Sequence, residues 1–334
     1  MNVNSENIKI QGDDAVLDQT LRPSNFDEYI GQEKVKKNLK ILIEAAKKRK
    51  ESIEHVLIHG PSGLGKTTLS HLIAKNLGTS IRVTSGSALA KAGDIGSLLT
   101  NLSDGDVLFI DEVHRLHKQI EEVLYPAMDN FKLDIIIGKG NSAKTLQIDL
   151  PKFTIIAATT RISLLSAPFR ARFGVHYKLD FYNQNDIENI LQRSARILDV
   201  DVAPDGLNKL AAASRFTPRI ANRLLKRVRD LAQVENHTKV DENVVAKTLG
   251  LLDIDSIGLD AMDKKILITI VERFKGGPAG LKAVAAFVGE ETNTIEEVYE
   301  PYLMRIGFLV RTPKGRTVTD KCLAYFNKNH GLLI

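Results

Sequence analysis

At 334 residues, 43% hydrophobic and 26% charged, the chain is long enough for two or three domains with cores of their own, and its composition excludes a disordered or fibrous protein. A single cysteine, Cys322, excludes an internal disulfide framework, and no apolar run approaches the ~20 residues that span a bilayer. The net charge of +5 permits a polyanionic partner without requiring one. The first residues carry no basic segment followed by an apolar run, so no signal peptide is expected and a cytoplasmic location is.

Up to about residue 182, short apolar runs at 56–59, 81–84, 107–110, 154–157 and 175–179 alternate with amphipathic segments. That alternation predicts a parallel sheet with crossover helices. The first run leads into Gly60-Pro61-Ser62-Gly63-Leu64-Gly65-Lys66-Thr67, which meets the P-loop pattern in full. Glycines there let backbone N–H groups close around phosphate oxygens, Lys66 supplies a cation, and the Thr67 hydroxyl is placed to ligate Mg²⁺. A helix carrying Leu69, Leu72, Ile73 and Leu77 leads out and aims its positive end at the same anions.

The third run ends in Asp111-Glu112. An apolar strand that delivers two carboxylates needs a cation nearby. Asp111 is therefore expected in the Mg²⁺ shell, and Glu112 beside it is expected to polarise the attacking water. Between this strand and the next, 132–140 and 146–149 predict a β-hairpin with a glycine-containing tip. Alternation puts Leu133, Ile135 and Ile137 on one face and Ile136 on the other, a pattern that suits a protein contact. The strand at 154–157 runs into Thr159-Thr160, a polar end able to sense the γ-phosphate, with Thr160 preferred over Thr159. Just before the fifth run, Arg170 and Arg172 stand where ring-forming ATPases place an arginine finger, and Arg172 is the better candidate.

Residues 183–254 form an all-helical stretch, with stripes Ile187, Ile190, Leu191, Leu198 and Ile220, Leu224, Leu225, Val228, Leu231. Thr217-Pro218 is the expected N-cap and first position of the second helix, and a cation in that first turn, Arg219, opposes the dipole unless an anion is near. After a short linker at 253–260 come helices at 262–274, 281–288 and 294–305, the last kinked by Pro301. A hairpin of strands 307–311 and 316–319 follows, around Thr312-Pro313-Lys314-Gly315. This pattern suggests a winged helix in 255–334. Glu296, Glu297 and Glu300 on its third helix would repel phosphates, so DNA contact falls to Arg311, Lys314 and Arg316 of the wing, through the backbone and without sequence preference.

Together these motifs resemble the AAA+ superfamily, and the phrases around them resemble more closely the RuvB family, the motor subunits of bacterial Holliday-junction branch migration. The matching phrases include Arg22-Pro23 with Tyr29-Ile30-Gly31-Gln32, Phe109-Ile110-Asp111-Glu112-Val113-His114-Arg115-Leu116, Glu122-Val123-Leu124-Tyr125-Pro126-Ala127-Met128, Arg172-Phe173-Gly174, Thr217-Pro218-Arg219-Ile220-Ala221-Asn222-Arg223 and Arg311-Thr312-Pro313. The resemblance implies an α/β P-loop domain at 1–182, a small helical lid at 183–254 and a winged-helix domain at 255–334. It implies ATP with Mg²⁺, a homo-hexameric ring on the duplex arms of a Holliday junction, RuvA as partner at Ile135, Ile136 and Ile137, and RuvC as a further partner. It places Leu21, Arg22, Tyr29 and Ile30 around the adenine, and Gly63, Gly65, Lys66, Thr67 and Thr68 on the phosphates. Tyr182 and Arg219 would close over the nucleotide, and Asp129-Asn130-Phe131 would touch it from the adjacent subunit. Three departures from the family pattern are Ser62 for proline, Ala157 for glycine and Phe216 for glycine; the last bears on the helix that presents Arg219. A clamp-loader subunit and a nucleotide-controlled DNA-binding regulator are the alternative readings.

Overall fold

The computed structural model describes residues 19–137 and 144–330. Among the described residues before 179 the strands are β1 (Val56–His59), β2 (Ile81–Ser85), β3 (Val107–Asp111), β4 (Lys132–Ile137), β5 (Lys144–Asp149), β6 (Thr154–Thr159) and β7 (Val175–Lys178). Five of them form a parallel sheet in the order β2-β3-β6-β1-β7, while β4 and β5 pair antiparallel as the expected hairpin. Strands β1, β3 and β6 are apolar almost throughout and buried on both faces, as strands covered by helices on two sides must be. The helices of this unit are α1 (Glu33–Arg49), α2 (Lys66–Leu77), α3 (Ala92–Thr100), α4 (Lys118–Asn130) and the short α5 (Ala167–Ala171).

Strand order matters more to the site than strand number. β6 lies between β1 and β3, in register Leu57↔Ala157 and Ile110↔Ala157. The end of β6, at Thr159, therefore stands between the loop that follows β1 and the carboxylates that end β3. Ligand sites of open parallel sheets lie at these carboxyl ends.

The chain divides into two compact units, one of the described residues up to 60 with 64–180, the other of 61–63 with the described residues from 181. The second unit holds α6 (Gln184–Ile197), α7 (Pro204–Ala213), α8 (Pro218–Val234) and α9 (Glu242–Leu251), and also the winged-helix elements. These are α10 (Ala261–Phe274), α11 (Leu281–Val288), α12 (Glu300–Arg305), β8 (Leu309–Thr312), β9 (Gly315–Val318) and α13 (Asp320–His330). Leu224, Leu225 and Val228 of α8 are buried as the periodicity predicts. The winged-helix core gathers Ile266, Ile270, Val284, Leu303, Phe308 and Phe326 around Cys322, whose thiol burial pushes up to about 12, too high for reactivity at neutral pH.

The expected linker at 253–260 is tied down. Asp255 accepts backbone N–H groups of Ile257 and Leu259 through Oδ1 and the Tyr325 hydroxyl through Oδ2. Arg215 joins the helical and winged-helix parts: its guanidinium donates to Gly258 O at 2.8 Å, to Asp260 at 2.7 Å and to the fully buried Asp263 at 2.5 Å. Two carboxylates thus share one cation. Burial drives the Asp263 carboxyl up to about 7, while backbone N–H donation and Arg215 outweigh burial at Asp260 and hold it below the usual range.

One local expectation holds by position only. Thr217 is the N-cap of α8 by position, but its hydroxyl donates to Ser214 O and caps nothing. The helix expected at 294–305 is present, and its irregularity falls just before Pro301: a π-turn, Ile295–Tyr299, leads into α12, whose first turn holds the proline. A widened turn relieves the clash of the proline ring with the preceding carbonyls. The wing hairpin has its turn at 312–315 as expected, with Thr312↔Gly315 the last pair and Pro313-Lys314 the two central residues.

Candidate functional site

The loop after β1 has the backbone that phosphate binding demands. Gly63 and Gly65 take φ of 80° and 95°, open to glycine without cost. A Cβ on Gly65 would lie 3.0 Å from the Tyr29 hydroxyl. Lys66, at the start of α2, is buried, and its Nζ donates to Gly60 O at 2.8 Å. The ammonium is thus held inside its own loop, where β- and γ-phosphate oxygens would replace that carbonyl. Thr67 Oγ1 donates to Asp111 Oδ2 at 3.2 Å, and Thr68 is half-buried on the same first turn. One carboxylate and one hydroxyl would suit Mg²⁺ completed by water and phosphate oxygens rather than a cage built wholly by protein. Among the described residues no group of three or more His, Cys, Asp or Glu side chains could hold a metal alone. The donor set fits Mg·ATP.

Glu112 follows directly on β3 with φ 46° and ψ 47°. A left-handed glutamate costs about 1 kcal/mol, and the turn redirects its carboxylate toward the end of β6. There Oε2 accepts the Thr160 hydroxyl at 3.2 Å and lies 3.2 Å from His114 Nδ1. Thr159 is fully buried; its hydroxyl accepts the Arg161 N–H and meets His114 Nδ1 at 2.9 Å. The neighbouring threonines therefore differ: Thr160 touches Glu112, and Thr159 is bound into the turn.

Arg172 stands at the other end of the sheet. β7 starts level with β1, Val56↔Val175, so Arg172 precedes the edge from which β1 departs. The four residues of β1, about 13 Å at the usual rise, separate that edge from the phosphate loop. The guanidinium donates from Nε to Asp129 Oδ2 at 3.0 Å, with Nη2 in ion-pair contact with the same oxygen at 2.9 Å, and from Nη1 to Pro168 O at 2.8 Å, and it lies 4.0 Å over the Tyr125 ring. Asp129 and Asn130 close α4, and His55, just before β1, contacts Met128 O. Phe131 packs edge-on to Phe153 at 5.6 Å. Asp129-Asn130-Phe131 thus gathers with Arg172 and away from the phosphate loop of the same chain. Tyr125 and Asp129 lie four apart on α4 with the buried Glu121, which accepts the Ser166 hydroxyl at 2.7 Å. Neither this stripe nor His114 stands out in the sequence. The i, i+4, i+8 spacing of Glu121, Tyr125 and Asp129 was the available signal.

Among the residues assigned to the adenine, Leu21 and Tyr29 are buried, Ile30 is half-buried, and Tyr29 donates to Leu64 O at 3.4 Å. Arg22 is exposed, close enough to His71 of α2 to add to the lowering of its pKa that burial begins. In the second unit, Arg219 Nη1 donates to Ser62 Oγ at 3.0 Å, and its backbone N–H reaches Gly63 O at 3.4 Å. The buried Tyr182 donates its N–H to Phe216 O at 3.1 Å. Phe216 takes φ 55°, the left-handed conformation that glycine adopts freely, and packs its ring 6.4 Å from Tyr302. Arg219 keeps its contacts with Ser62 and Gly63 despite the bulky residue at 216.

In the wing, Arg316, one of the three basic residues expected to contact DNA, is turned inward: Nε donates to Glu300 Oε1 at 2.8 Å and Nη2 to Glu296 Oε1 at 2.8 Å. Arg311 Nε donates to Glu300 Oε2 at 2.5 Å. The Glu300 side chain is only 1% exposed, against 17% for Arg316 and 43% for Arg311. Two arginines answer two glutamates, so this quartet adds no net charge to the wing, and Lys314 is the exposed basic group at the turn. Ile135, Ile136 and Ile137 occupy the outer end of β4, opposite Leu146, Thr145 and Lys144. Side chains at 135–145 and the hairpin tip at 138–143 lie outside the described residues; Leu133, nearer the base, is buried, and Leu146 is half exposed.

Comparison with known proteins agrees with this arrangement along the chain. Residues 21–179 match the family model "Holliday junction DNA helicase RuvB P-loop domain", 182–255 the "RuvB AAA lid domain" and 256–327 the "RuvB C-terminal winged helix domain". The Holliday junction branch migration complex subunit RuvB of Clostridium kluyveri is 52% identical over 321 residues, covering 96% of this chain and 91% of the relative. The solved RuvB Holliday junction branch migration motor of Thermotoga maritima is 50% identical with a TM-score of 0.85, covering 92% of this chain and 98% of that one. With a phosphate loop, an Asp-Glu strand end, a helical region and a winged helix in the matching order, the chain belongs to the RuvB family of P-loop AAA+ proteins.

Proposed function

We propose that this chain hydrolyses ATP in a homo-hexameric ring and uses the energy to drive branch migration of Holliday junctions, in partnership with RuvA and alongside RuvC. The observation that carries the reading is the separation of Arg172 from the phosphate loop by the length of β1. One subunit cannot complete its own site, and a ring in which each Arg172 meets the next subunit's nucleotide can. Bound Mg·ATP supplies the phosphoanhydride whose cleavage is the reaction. Lys66 and the loop N–H groups hold its phosphates, and Thr67 and Asp111 hold the metal. Glu112 orients the attacking water and takes up its proton. Thr160 and Arg219 stand as the γ-phosphate sensors, and Asp129-Asn130 would meet the neighbour's nucleotide beside Arg172. In a synthetic four-way junction the chain should dissociate the arms only with ATP, and faster with RuvA. Dissociation at the same rate without ATP would sink the motor reading.

Duplex contact by the wing would rest on Lys314 and the exposed part of Arg311. Lys314→Ala should reduce the slope of log K against log salt by about 0.9, the contribution of one neutralised phosphate, equally on two duplexes of different sequence. Arg316→Ala should instead destabilise the fold by about 3 kcal/mol, since a buried carboxylate loses a partner. A salt series beside a thermal melt separates the two outcomes, and an unchanged slope for Lys314→Ala would remove the wing turn from the DNA interface.

A further inference from the structure

His114 occupies the 3₁₀ turn Val113–Arg115 immediately after Glu112, and the site chemistry above gives it no part. Its side chain is 5% exposed, and one atom, Nδ1, faces both Thr159 Oγ1 at 2.9 Å and Glu112 Oε2 at 3.2 Å. A ring nitrogen either donates or accepts, not both. With a hydrogen on Nδ1, the imidazole donates toward the Glu112 carboxylate and the Thr159 oxygen. Without one, it accepts the Thr159 hydroxyl and turns a lone pair toward the carboxylate, a repulsive contact. The state of this one nitrogen therefore ties the hold on Glu112 to the arrangement of Thr159.

Both threonines sit at the end of β6, the strand between the phosphate loop and β3. Thr160 reaches Glu112 directly, and Thr159 reaches it through His114. Glu112 itself is 34% exposed on a left-handed residue, and its side-chain torsions are free unless Oε2 is held. A general base must be fixed closely against the water it serves.

We propose that His114 is a positioning residue for Glu112: through Nδ1 it fixes the carboxylate and couples it to Thr159, so that a shift at the end of β6 changes the aim of the base. The proposal rests on Glu112 being the base. It is tested by steady-state ATP hydrolysis of the full chain, with and without duplex DNA, in three variants. His114→Phe keeps the ring volume and removes the nitrogens, His114→Ala removes both, and His114→Asn restores an amide donor near the position of Nδ1. The donor-less variants should lose about tenfold in kcat, a fraction of what a general base contributes, with KM for ATP unchanged within about twofold. His114→Asn should recover most of the loss. In a Glu112→Gln background, His114→Phe should have no further effect, because a positioning residue has nothing left to position. Wild-type kcat in Phe or Ala, equal loss in Asn and Phe, a KM that rises in step with the loss, or additive losses in the double variant would each overturn the proposal. If one donor-less variant does not fold, the other decides against Asn. Wild-type turnover in Glu112→Gln alone would reject the base itself, a failure separate from that of His114.

Discussion

Glutamine at position 112 is expected to leave nucleotide affinity within about threefold of wild type and to cut ATP turnover by about 10²–10⁴-fold, the usual contribution of a positioned general base. The amide keeps the size of the carboxylate and can still accept the Thr160 hydroxyl, so the left-handed turn at residue 112 and the 3.2 Å contact have no reason to change. What it loses is a site basic enough to take a proton from water. Affinity should survive because the groups assigned to the phosphates and metal, Lys66, Thr67 and Asp111, lie on α2 and at the end of β3 and not on this side chain. Lys66→Ala should behave in the opposite way, weakening binding first, since it removes the ammonium that now rests on Gly60 O. Fluorescent nucleotide titration and phosphate release on the same preparations measure the two effects. Turnover at the wild-type rate in Glu112→Gln would show that another group activates the water.

The features legible in the sequence are those whose chemistry is contiguous. Gly60 to Thr67 is one loop and Asp111-Glu112 one strand end, and the apolar runs before them fix their places at the carboxyl edge of a parallel sheet. Features that depend on residues far apart in the chain were illegible. Asp129 and Arg172 are 43 positions apart and meet only because α4 ends beside the edge from which β1 and β7 start. His114 falls inside a phrase that identifies the family, yet its contact with Thr159, 45 positions away, depends on β6 lying next to β3. The ion pairs of the wing are hidden for the same reason. Glu296 and Glu300 looked repulsive to phosphate when counted alone, and the hairpin folds Arg311 and Arg316 back onto them. At Thr217 the residue type suited a cap, but the left-handed pair Arg215 and Phe216 brings Ser214 O within reach of the hydroxyl and the bond goes there instead.

Arg172→Ala should be almost inactive, slower by about 10³-fold or more, as expected when a cation that stabilises the transferring phosphoryl group is removed. Binding of ATP by the variant should persist, because Arg172 stands beyond the far end of β1 from the phosphate loop. In the isolated chain the guanidinium is already oriented by Asp129, Pro168 O and the Tyr125 ring, so little side-chain freedom remains to be lost when it meets an anion. Lysine at 172 should not substitute, since an ammonium cannot reproduce that planar fork. The decisive measurement is a mixture. Subunits carrying Arg172→Ala retain an intact phosphate loop, and subunits carrying Lys66→Ala retain the finger. With the second in excess, most rings place a wild-type Arg172 against an intact loop, and turnover should reappear although neither variant hydrolyses ATP alone. Co-assembly is verified by labelling the two variants with different fluorophores. Mixed rings that stay silent would mean that Arg172 does not act on a neighbour, and the catalytic cation would then have to come from the chain that binds the nucleotide, where Arg219, 3.0 Å from Ser62, is the group in place.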